Sequence, residues 1–382
     1  MRIFLSAGEQ SGDLHGATVA QEIRQLCPDI ELLGLGGSWM ESAGVRILYP
    51  LPRLALIGFI EVARHLPEIL KVRSIVRSSW QKERPDVVAL IDFPGLHLRL
   101  ARFAQGLGIP VVYYIAPQMW AWGENRVNDL RERIKKLLLI LPFEERFFRR
   151  HNVDAVFVGH PLMDRLGHIE PRPCKPAAAE SATIGLLPGS RIGELENMLP
   201  PMLDAAQRIR SIHERVSFVL PLAETLDENR LAGFRVPSWV EVVRDPDYRH
   251  RLRMDLAWTS SGTATVENAI LGTPMAIVYR TGWLNAMVAR RLVRTPYIGL
   301  ANLVAGYGVC PELIQEQLSG ESLAAWTLDF FDNEERQRIL CEGLRRAREA
   351  LGAPGASRRA AKEILKVASE EGAAGANRQQ VG

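Results

Sequence analysis

Short, almost wholly apolar runs recur along the chain, and they restrict it to parallel sheets. RIFLSAG, ELLGLGG, DVVALID, PVVYYIA, KKLLLIL and AVFVG occupy the first half, and TIGLLPG, VSFVLPL, WVEVV, DLAWTSS and PMAIVY the second. Longer amphipathic stretches with helical spacing separate them. A strand apolar on both sides must be covered on both faces, which crossover helices accomplish and simple hairpins do not. The expectation is an α/β protein of two doubly wound, Rossmann-like domains, because 382 residues exceed the usual size of one core. Residues 167–182, GHIEPRPCKPAAAESA, show neither strand nor helix periodicity and read as the linker. The boundaries follow as 1–166, a linker at 167–182, 183–350, and a C-terminal segment 351–382. Residues 312–368 carry a helical pattern, with helices expected over 334–351 and 357–367. The last dozen, EGAAGANRQQVG, have too little apolar content to pack and are expected to be disordered.

In open α/β sheets ligands sit beyond the carboxyl ends of the strands. Two such domains facing each other would form a cleft lined by SAGEQSGD, IDFPGLH and YYIAPQMWAW from one side. From the other would come LLPGSRIGELE (186–196) and SSGTATVENAILGTP (260–274), each a strand-like run that ends in small residues and opens a helix. Free N–H groups and the positive dipole end of such a helix suit a phosphate. Arg191 offers a guanidinium fork for a diphosphate, and Glu267, one turn into its helix, can accept ribose hydroxyls. A nucleotide in the second half is the consequence, although neither loop is a Walker or G-x-G-x-x-G signature.

Composition narrows the alternatives. Cys27, Cys174, Cys310 and Cys341 lie far apart, giving neither a disulfide framework nor zinc spacing. The histidines form no ligand pair, so no structural metal is inferred and no cofactor is called for beyond the nucleotide-borne substrate, although a transient divalent ion on a diphosphate would leave no such trace and metal dependence stays open. The start, MRIFLSAG, lacks a signal-peptide pattern and no apolar run is long enough to span a bilayer, so a cytoplasmic protein is expected. A net charge of +3 without a basic, aromatic-interleaved patch argues against nucleic acid.

Taken in order, SAGEQSGDLHGA (6–17), GLGGSWM (34–40), YYIAPQMWAWG (113–123), LPFE (141–144), FVGHPLMD (157–164), LLPGSRIGE (186–194), SSGTATVENAILGTPMAIVYR (260–280) and PELIQ (311–315) resemble the lipid A disaccharide synthase family over residues 2–350. The resemblance implies a GT-B glycosyltransferase, with C-terminal helices that cross back to the first domain. It implies an inverting transfer that joins UDP-2,3-diacylglucosamine to 2,3-diacylglucosamine 1-phosphate (lipid X) through a β-1,6 bond and releases UDP. The place implied is the cytoplasmic face of the inner membrane of Gram-negative bacteria, as a peripheral protein on anionic lipid.

Such a transfer needs a base at the attacking hydroxyl and donors for the departing diphosphate. Glu9 and Asp13 stand in the turn after the first strand, where they suit sugar hydroxyls or a proton, Asp13 equally suiting a helix cap or loop amides. IDFPGLHLRLA departs from the family's Asp-x-Pro-Asp-Phe-Asn: Gly95, Leu96 and His97 replace its last three residues. The favoured base position is thus empty, leaving Asp92, Glu9 or His97, with Asp92 placed for desolvation to raise its pKa. For the donor, Gly189, Ser190 and Arg191 are expected at the diphosphate, Ser261, Gly262, Thr263 and Thr265 in the second loop, and Glu267 at the ribose. Arg191 pairing with Glu194 or Glu196 is the plainer alternative. By resemblance Asn302, Glu312 and Gln315 touch donor sugar or nucleotide, the last two from one helical turn. Residues 51–80 interleave Arg53, Arg64, Lys71, Arg73 and Arg77 with apolar side chains, as an interfacial element does, and as a helix packed on its sheet also does. Trp120 and Trp122 suit a sugar, an acyl chain or the core. Two rival functions remain: another UDP-sugar enzyme such as a 2-epimerase, and a silent lipid- or nucleotide-binding protein.

Overall fold

The computed structural model describes residues 1–51, 66–173, 176–223, 226–282, 287 and 295–379. The chain forms two compact units, Met1–Asp164 with Ala353–Gly382, and Arg165–Gly352. In the first, β1 (Arg2–Ala7), β2 (Glu31–Gly36), β3 (Arg46–Pro50), β4 (Val87–Ile91), β5 (Val111–Tyr114), β6 (Lys136–Leu139) and β7 (Ala155–Phe157) make one parallel sheet in the order β3-β2-β1-β4-β5-β6-β7. Period-two alternation divides its apolar residues between two cores. Phe4, Val88, Leu90 and Tyr113 point to one face, and Ile3, Leu5, Val87, Ala89 and Ile91 to the other.

The helices along this stretch are α1 (Gln10–Leu26), α2 (Ser38–Ser42), α3 (Leu66–Lys82), α4 (Pro94–Gly106), α5 (Met119–Trp122), α6 (Val127–Arg133), α7 (Pro142–Arg150) and α8 (Leu162–Leu166). Helices α3, α4 and α6 cover the first face through Val72, Val76, Trp80, Leu98, Ala101 and Leu130. Trp80 is the largest anchor, edge-on to Phe4 and stacked on Phe103. So the described part of the basic amphipathic segment does pack on its sheet. Arg53 and Arg64, with the rest of 52–65, lie outside the described residues.

The second unit contains β8 (Thr183–Leu187), β9 (Ser217–Pro221), β10 (Val240–Val243), β11 (Leu256–Ser260), β12 (Met275–Tyr279) and β13 (Glu312–Ile314), parallel in the order β10-β9-β8-β11-β12-β13. Its helices are α9 (Ile192–Ile212), α10 (Thr263–Leu271), α11 (Leu300–Ala305), α12 (Gly320–Phe331) and α13 (Glu334–Ala350). Glu312 therefore begins an edge strand rather than the expected helix: the Ile277 N–H donates to Pro311 O (2.9 Å), and Glu312, Leu313 and Ile314 pair with Ile277, Val278 and Tyr279 of β12.

Two further expectations are corrected. The segment taken for a linker belongs to the second unit: Arg172 N–H donates to Leu271 O (2.8 Å), its guanidinium pairs with Asp255, and Gln337 Oε1 accepts the Ala177 N–H (2.8 Å). Polar side chains from distant elements hold it, which periodicity cannot reveal. The helix expected over 357–367 runs on as α14 (Ala356–Gln379) into the first nine residues of the tail expected without order, and it belongs to the first unit. Ala360, Ala361, Ile364, Val367 and Ala368 recur on one helical face and join the core containing Val19, Ala20 and Ile23 of α1. Asp164 caps α14, its carboxylate accepting the N–H groups of Gly355 (2.6 Å), Ala356 (2.8 Å) and Ser357 (2.8 Å).

Candidate active site

Each sheet reverses its winding at one point, between β1 and β4 in the first unit and between β8 and β11 in the second. A doubly wound sheet opens a crevice at the carboxyl ends of those strands. The loops that leave them are 8–9, 92–93, 188–191 and 261–262, so the singled-out motifs sit at the two switch points.

In the first unit the register Ala7↔Ile91 brings Glu9 and Asp92 to neighbouring loops. Gly8 fits beneath the Phe93 ring because it has no Cβ to collide with it. Asp92 (φ 51°) and Phe93 (φ 53°) are both left-handed, a conformation that costs about 1–3 kcal/mol per non-glycine residue unless surroundings impose it. Two buried donors impose it here. His97 Nδ1 (2.6 Å) and the Tyr113 hydroxyl (2.6 Å) both bond the Asp92 carbonyl. Since that carbonyl can only accept, His97 carries its proton on Nδ1, and its bare Nε2 accepts from Ser6 Oγ (2.8 Å).

His97 is therefore corrected as a base candidate. It is wholly buried, both ring nitrogens are occupied, and burial pushes its pKa down to about 4. Asp13 is corrected likewise. Its Oδ1 accepts from Gly37 N (2.6 Å) and Met40 N (3.3 Å), and its Oδ2 from Trp39 N (3.0 Å), closing the start of α2. Asp92 keeps a freer carboxyl, bonded through Oδ1 to the Phe93 N–H (2.8 Å). Burial raises its pKa, the Phe93 N–H opposes this, and the Glu9 charge raises it further. Glu9 is exposed at the N-cap of α1 with no side-chain capping bond.

In the second unit the two loops differ. After β8, Glu194 folds back so that its Oε2 accepts from Ser190 N (3.0 Å) and Arg191 N (3.3 Å), while its Oε1 lies 3.5 Å from the Arg191 guanidinium. Gly189 (φ 116°) makes room for that carboxylate. The plainer Arg191–Glu194 pairing is thus present, and the Pro-Gly-Ser turn has a purpose in it. Arg191 remains 81% exposed.

After β11 the helix start is open. Gly262 (φ 146°) faces empty space, Thr263 is exposed, and the first N–H groups of α10 have no helical acceptor. Thr265 does not face outward: it is buried and its hydroxyl donates to Gly262 O (2.7 Å), fixing the turn. Ser261 Oγ donates to Ile298 O (2.8 Å). Glu267 takes the Tyr248 hydroxyl on Oε1 (2.8 Å) and Arg251 on Oε2. Tyr248 lies between the Arg251 (4.9 Å) and Arg165 (5.2 Å) guanidinium groups. Sequence reading missed Tyr248 and Arg251, because RDPDYRHRLRMD has no periodicity and resembles an ordinary charged loop, and Arg165, which lies far off in sequence on the short helix α8.

Asn302 and Glu312 form an internal network. Asn302 is buried, donating to Cys310 O (2.8 Å) and Glu312 Oε1 (2.8 Å) and accepting from Cys310 N (2.8 Å), so both its donors are committed within the unit. Glu312 also accepts from Ile298 N (3.0 Å) and Gly299 N (3.0 Å), just before α11. Gln315 (φ 54°) turns its amide onto the backbone N–H and C=O of Thr281. The expected helical pair is absent, since Glu312 lies on β13 and Gln315 follows it.

Trp120 donates from Nε1 to Glu144 Oε1 (2.9 Å) and meets Phe143 edge-on, a packing role; the side chain of Trp122 lies outside the described residues. Burial pushes Glu144 up to about 7 from 4.5, against the opposing Trp120 and Leu141 donors. A carboxyl raised on folding contributes stability that is complete below 4.5 and lost as pH rises through about 7. At ~1.4 kcal/mol per pH unit the loss is on the order of 3 kcal/mol. Thermal melts of the native chain and of Glu144→Gln at pH 5 and pH 8 are expected to differ by that loss, the native chain declining relative to the variant as pH rises. Buried His97 and His160, lowered to about 4 and about 3, act oppositely and lose stability as pH falls below 6.5, so the comparison is between the two proteins at each pH.

Comparison with known proteins agrees with these motifs. The family described as lipid-A-disaccharide synthetase matches residues 3–366. A lipid-A-disaccharide synthase of Anaeromyxobacter dehalogenans is 38% identical over 377 residues, covering 96% of this chain and 97% of its own. That of Syntrophus aciditrophicus is 40% identical over 366 residues, covering 94% and 96%. Among solved structures, MurG of Acinetobacter baumannii superposes with a TM-score of 0.58 at 16% identity, covering 96% of this chain and 99% of that one. UDP-GlcNAc 2-epimerase of Neisseria meningitidis bound to UDP-GlcNAc gives 0.62 at 13% identity, covering 96% and 100%. At such identities the structural likeness concerns the fold, which is that of GT-B glycosyltransferases.

Proposed function

This chain belongs to the lipid-A-disaccharide synthetase family, and from that premise we propose how its residues join UDP-2,3-diacylglucosamine to lipid X with inversion. The acceptor's 6-oxygen attacks C1 of the donor sugar from the face opposite the diphosphate. The C1–O bond breaks, its electron pair leaves on the β-phosphate of UDP, and the proton of the 6-hydroxyl passes to Asp92. The observation that carries this is Asp92 itself, at the switch point, with its backbone pinned by His97 and Tyr113 and its proton affinity raised by burial. A raised pKa makes a carboxylate a better acceptor for a hydroxyl proton. Glu9 raises that affinity further and is assigned to acceptor hydroxyls.

The donor's diphosphate is assigned to the open start of α10 at Gly262 and Thr263 and to Arg191. Glu194 must then release the Ser190 and Arg191 N–H groups when the anion arrives. The ribose is assigned to Glu267, whose two oxygens each retain a lone pair beyond the bonds to Tyr248 and Arg251. No step of this scheme uses a cofactor or a metal. No helix among the described residues is long and apolar enough to cross a membrane, so the acylated substrates would be met from the inner-membrane surface by a peripheral protein.

The experiment is UDP release by the purified protein with donor, with and without lipid X. Disaccharide formed with equimolar UDP supports the proposal; donor turnover to a 2-epimer, or UDP release indifferent to lipid X, counts against it. Arg191→Ala is expected to lower kcat by about 10²–10³-fold, as loss of one donor to developing charge does. Its melting temperature should stay unchanged, because the side chain is 81% exposed.

A further inference from the structure

Helices α3, α4 and α6 of the first unit enclose a groove of about 850 Å³, within the roughly 300–1,000 Å³ of pockets that bury small ligands. Leu70, Leu96 and Phe103 supply apolar wall, and Leu70 is 54% exposed there. The polar remainder is almost all of one sign. Arg133 is neutralised by Asp129 at 2.7 Å, whereas no carboxylate of the described residues pairs with Arg73, Arg99, Arg102 or Arg126. Apolar wall beside arginine that no described carboxylate neutralises is complementary to an alkyl chain that carries a phosphate.

The groove is continuous with the Asp92 loop. Pro94 and Gly95 line it, and they follow Asp92 by two and three residues. Gly95 leaves open space where a Cβ would stand. The Tyr113 hydroxyl holds the Asp92 carbonyl from the neighbouring strand β5. A ligand seated here would therefore lie against the same α4 start that follows Asp92.

We propose that this groove seats the phosphate and one acyl chain of the acceptor, the chain lying on Leu96 and Phe103 and the phosphate between Arg99, Arg102 and Arg126. It deepens the preceding reading and rests on it for the identity of the ligand. The arginines would thus set specificity for a 1-phosphorylated acceptor over its unphosphorylated form.

The test uses dodecyl phosphate as a direct-binding probe of the full chain, beside inorganic phosphate and phosphatidylglycerol vesicles. The variants are Arg99→Glu combined with Arg102→Glu, both exposed on α4, and Leu96→Glu as an independent apolar change. Each is expected to weaken dodecyl phosphate at least about tenfold and to raise the KM for lipid X comparably, with donor KM and vesicle binding unchanged. Unaltered dodecyl phosphate binding would overturn the proposal. So would inorganic phosphate binding as tightly as dodecyl phosphate, or variants that lose only the vesicles, which would make the face a bilayer contact. If the native chain makes no disaccharide yet binds dodecyl phosphate through these residues, the transferase reading fails and the groove stands as a site for acylated phosphate. If disaccharide forms and the variants keep the KM for lipid X, the groove alone is refuted.

Discussion

Asp92→Asn is expected to reduce acceptor-dependent UDP release by about 10²–10⁴-fold, the usual contribution of a positioned base, with donor KM little changed. Asparagine is the informative replacement. Its amide oxygen can still accept the Phe93 N–H that Asp92 Oδ1 accepts at 2.8 Å, and asparagine tolerates the left-handed backbone at φ 51°. The folded loop survives while the proton acceptor does not. Single-turnover UDP release together with a melting curve separates the two, and an Asn variant that retains most of its turnover would move the base to Glu9.

Two companions sharpen the result. In the native enzyme the acid limb of kcat should lie above the ordinary carboxylate range, because burial raises Asp92, and activity should fall as pH drops through that raised value. His97 makes no such limb near neutrality, since burial holds it down to about 4. His97→Phe should still cost activity, by freeing the Asp92 carbonyl from one of its two donors and leaving Ser6 Oγ without its acceptor. In that variant the shape of the pH profile should persist while its height falls.

The sequence carried the architecture because parallel strands buried on both faces leave an unmistakable apolar trace, as in VVALI of β4 and LAWTS of β11, where every residue is buried. The switch-point loops were legible for the same reason: small residues at the end of such a run mark where strand turns into helix. What the sequence could not carry was the destination of each carboxylate. Asp13, Asp164, Glu194 and Glu312 all sit near helix starts, and each accepts backbone N–H groups of its own unit. An acid that binds a ligand and one that closes a helix are the same residue type at the same spacing. Only three-dimensional proximity distinguishes Asp92, which takes a single N–H, from Asp13, which takes three. His97 is a similar case. At the opening of α4 nothing in its neighbours marks it as buried, yet Ser6, 91 positions earlier, closes over it.

Glu312→Ala should destabilise the second unit by about 3 kcal/mol in the absence of any ligand, since it orphans the Ile298 and Gly299 N–H groups and removes one acceptor from Asn302, each a hydrogen bond to a charged group worth roughly 1.5–3 kcal/mol before discount for partial exposure. The carboxylate also stands at the start of α11, where negative charge is favoured. For a unit of roughly 150–250 residues, ~1 kcal/mol moves the melting temperature by about 2–4 °C, so a fall of about 6–12 °C is expected. Calorimetry of the ligand-free variant is the measurement. Had Glu312 served the donor sugar instead, as its motif suggested, the unliganded melt would be unchanged and the loss would appear in donor KM. Through Ser261, whose hydroxyl donates to Ile298 O, the same network reaches the open loop before α10. Glu312→Ala should therefore weaken UDP as a consequence of the lost fold, and raising the UDP concentration should restore part of the melting temperature, because a ligand of the folded state stabilises it by mass action.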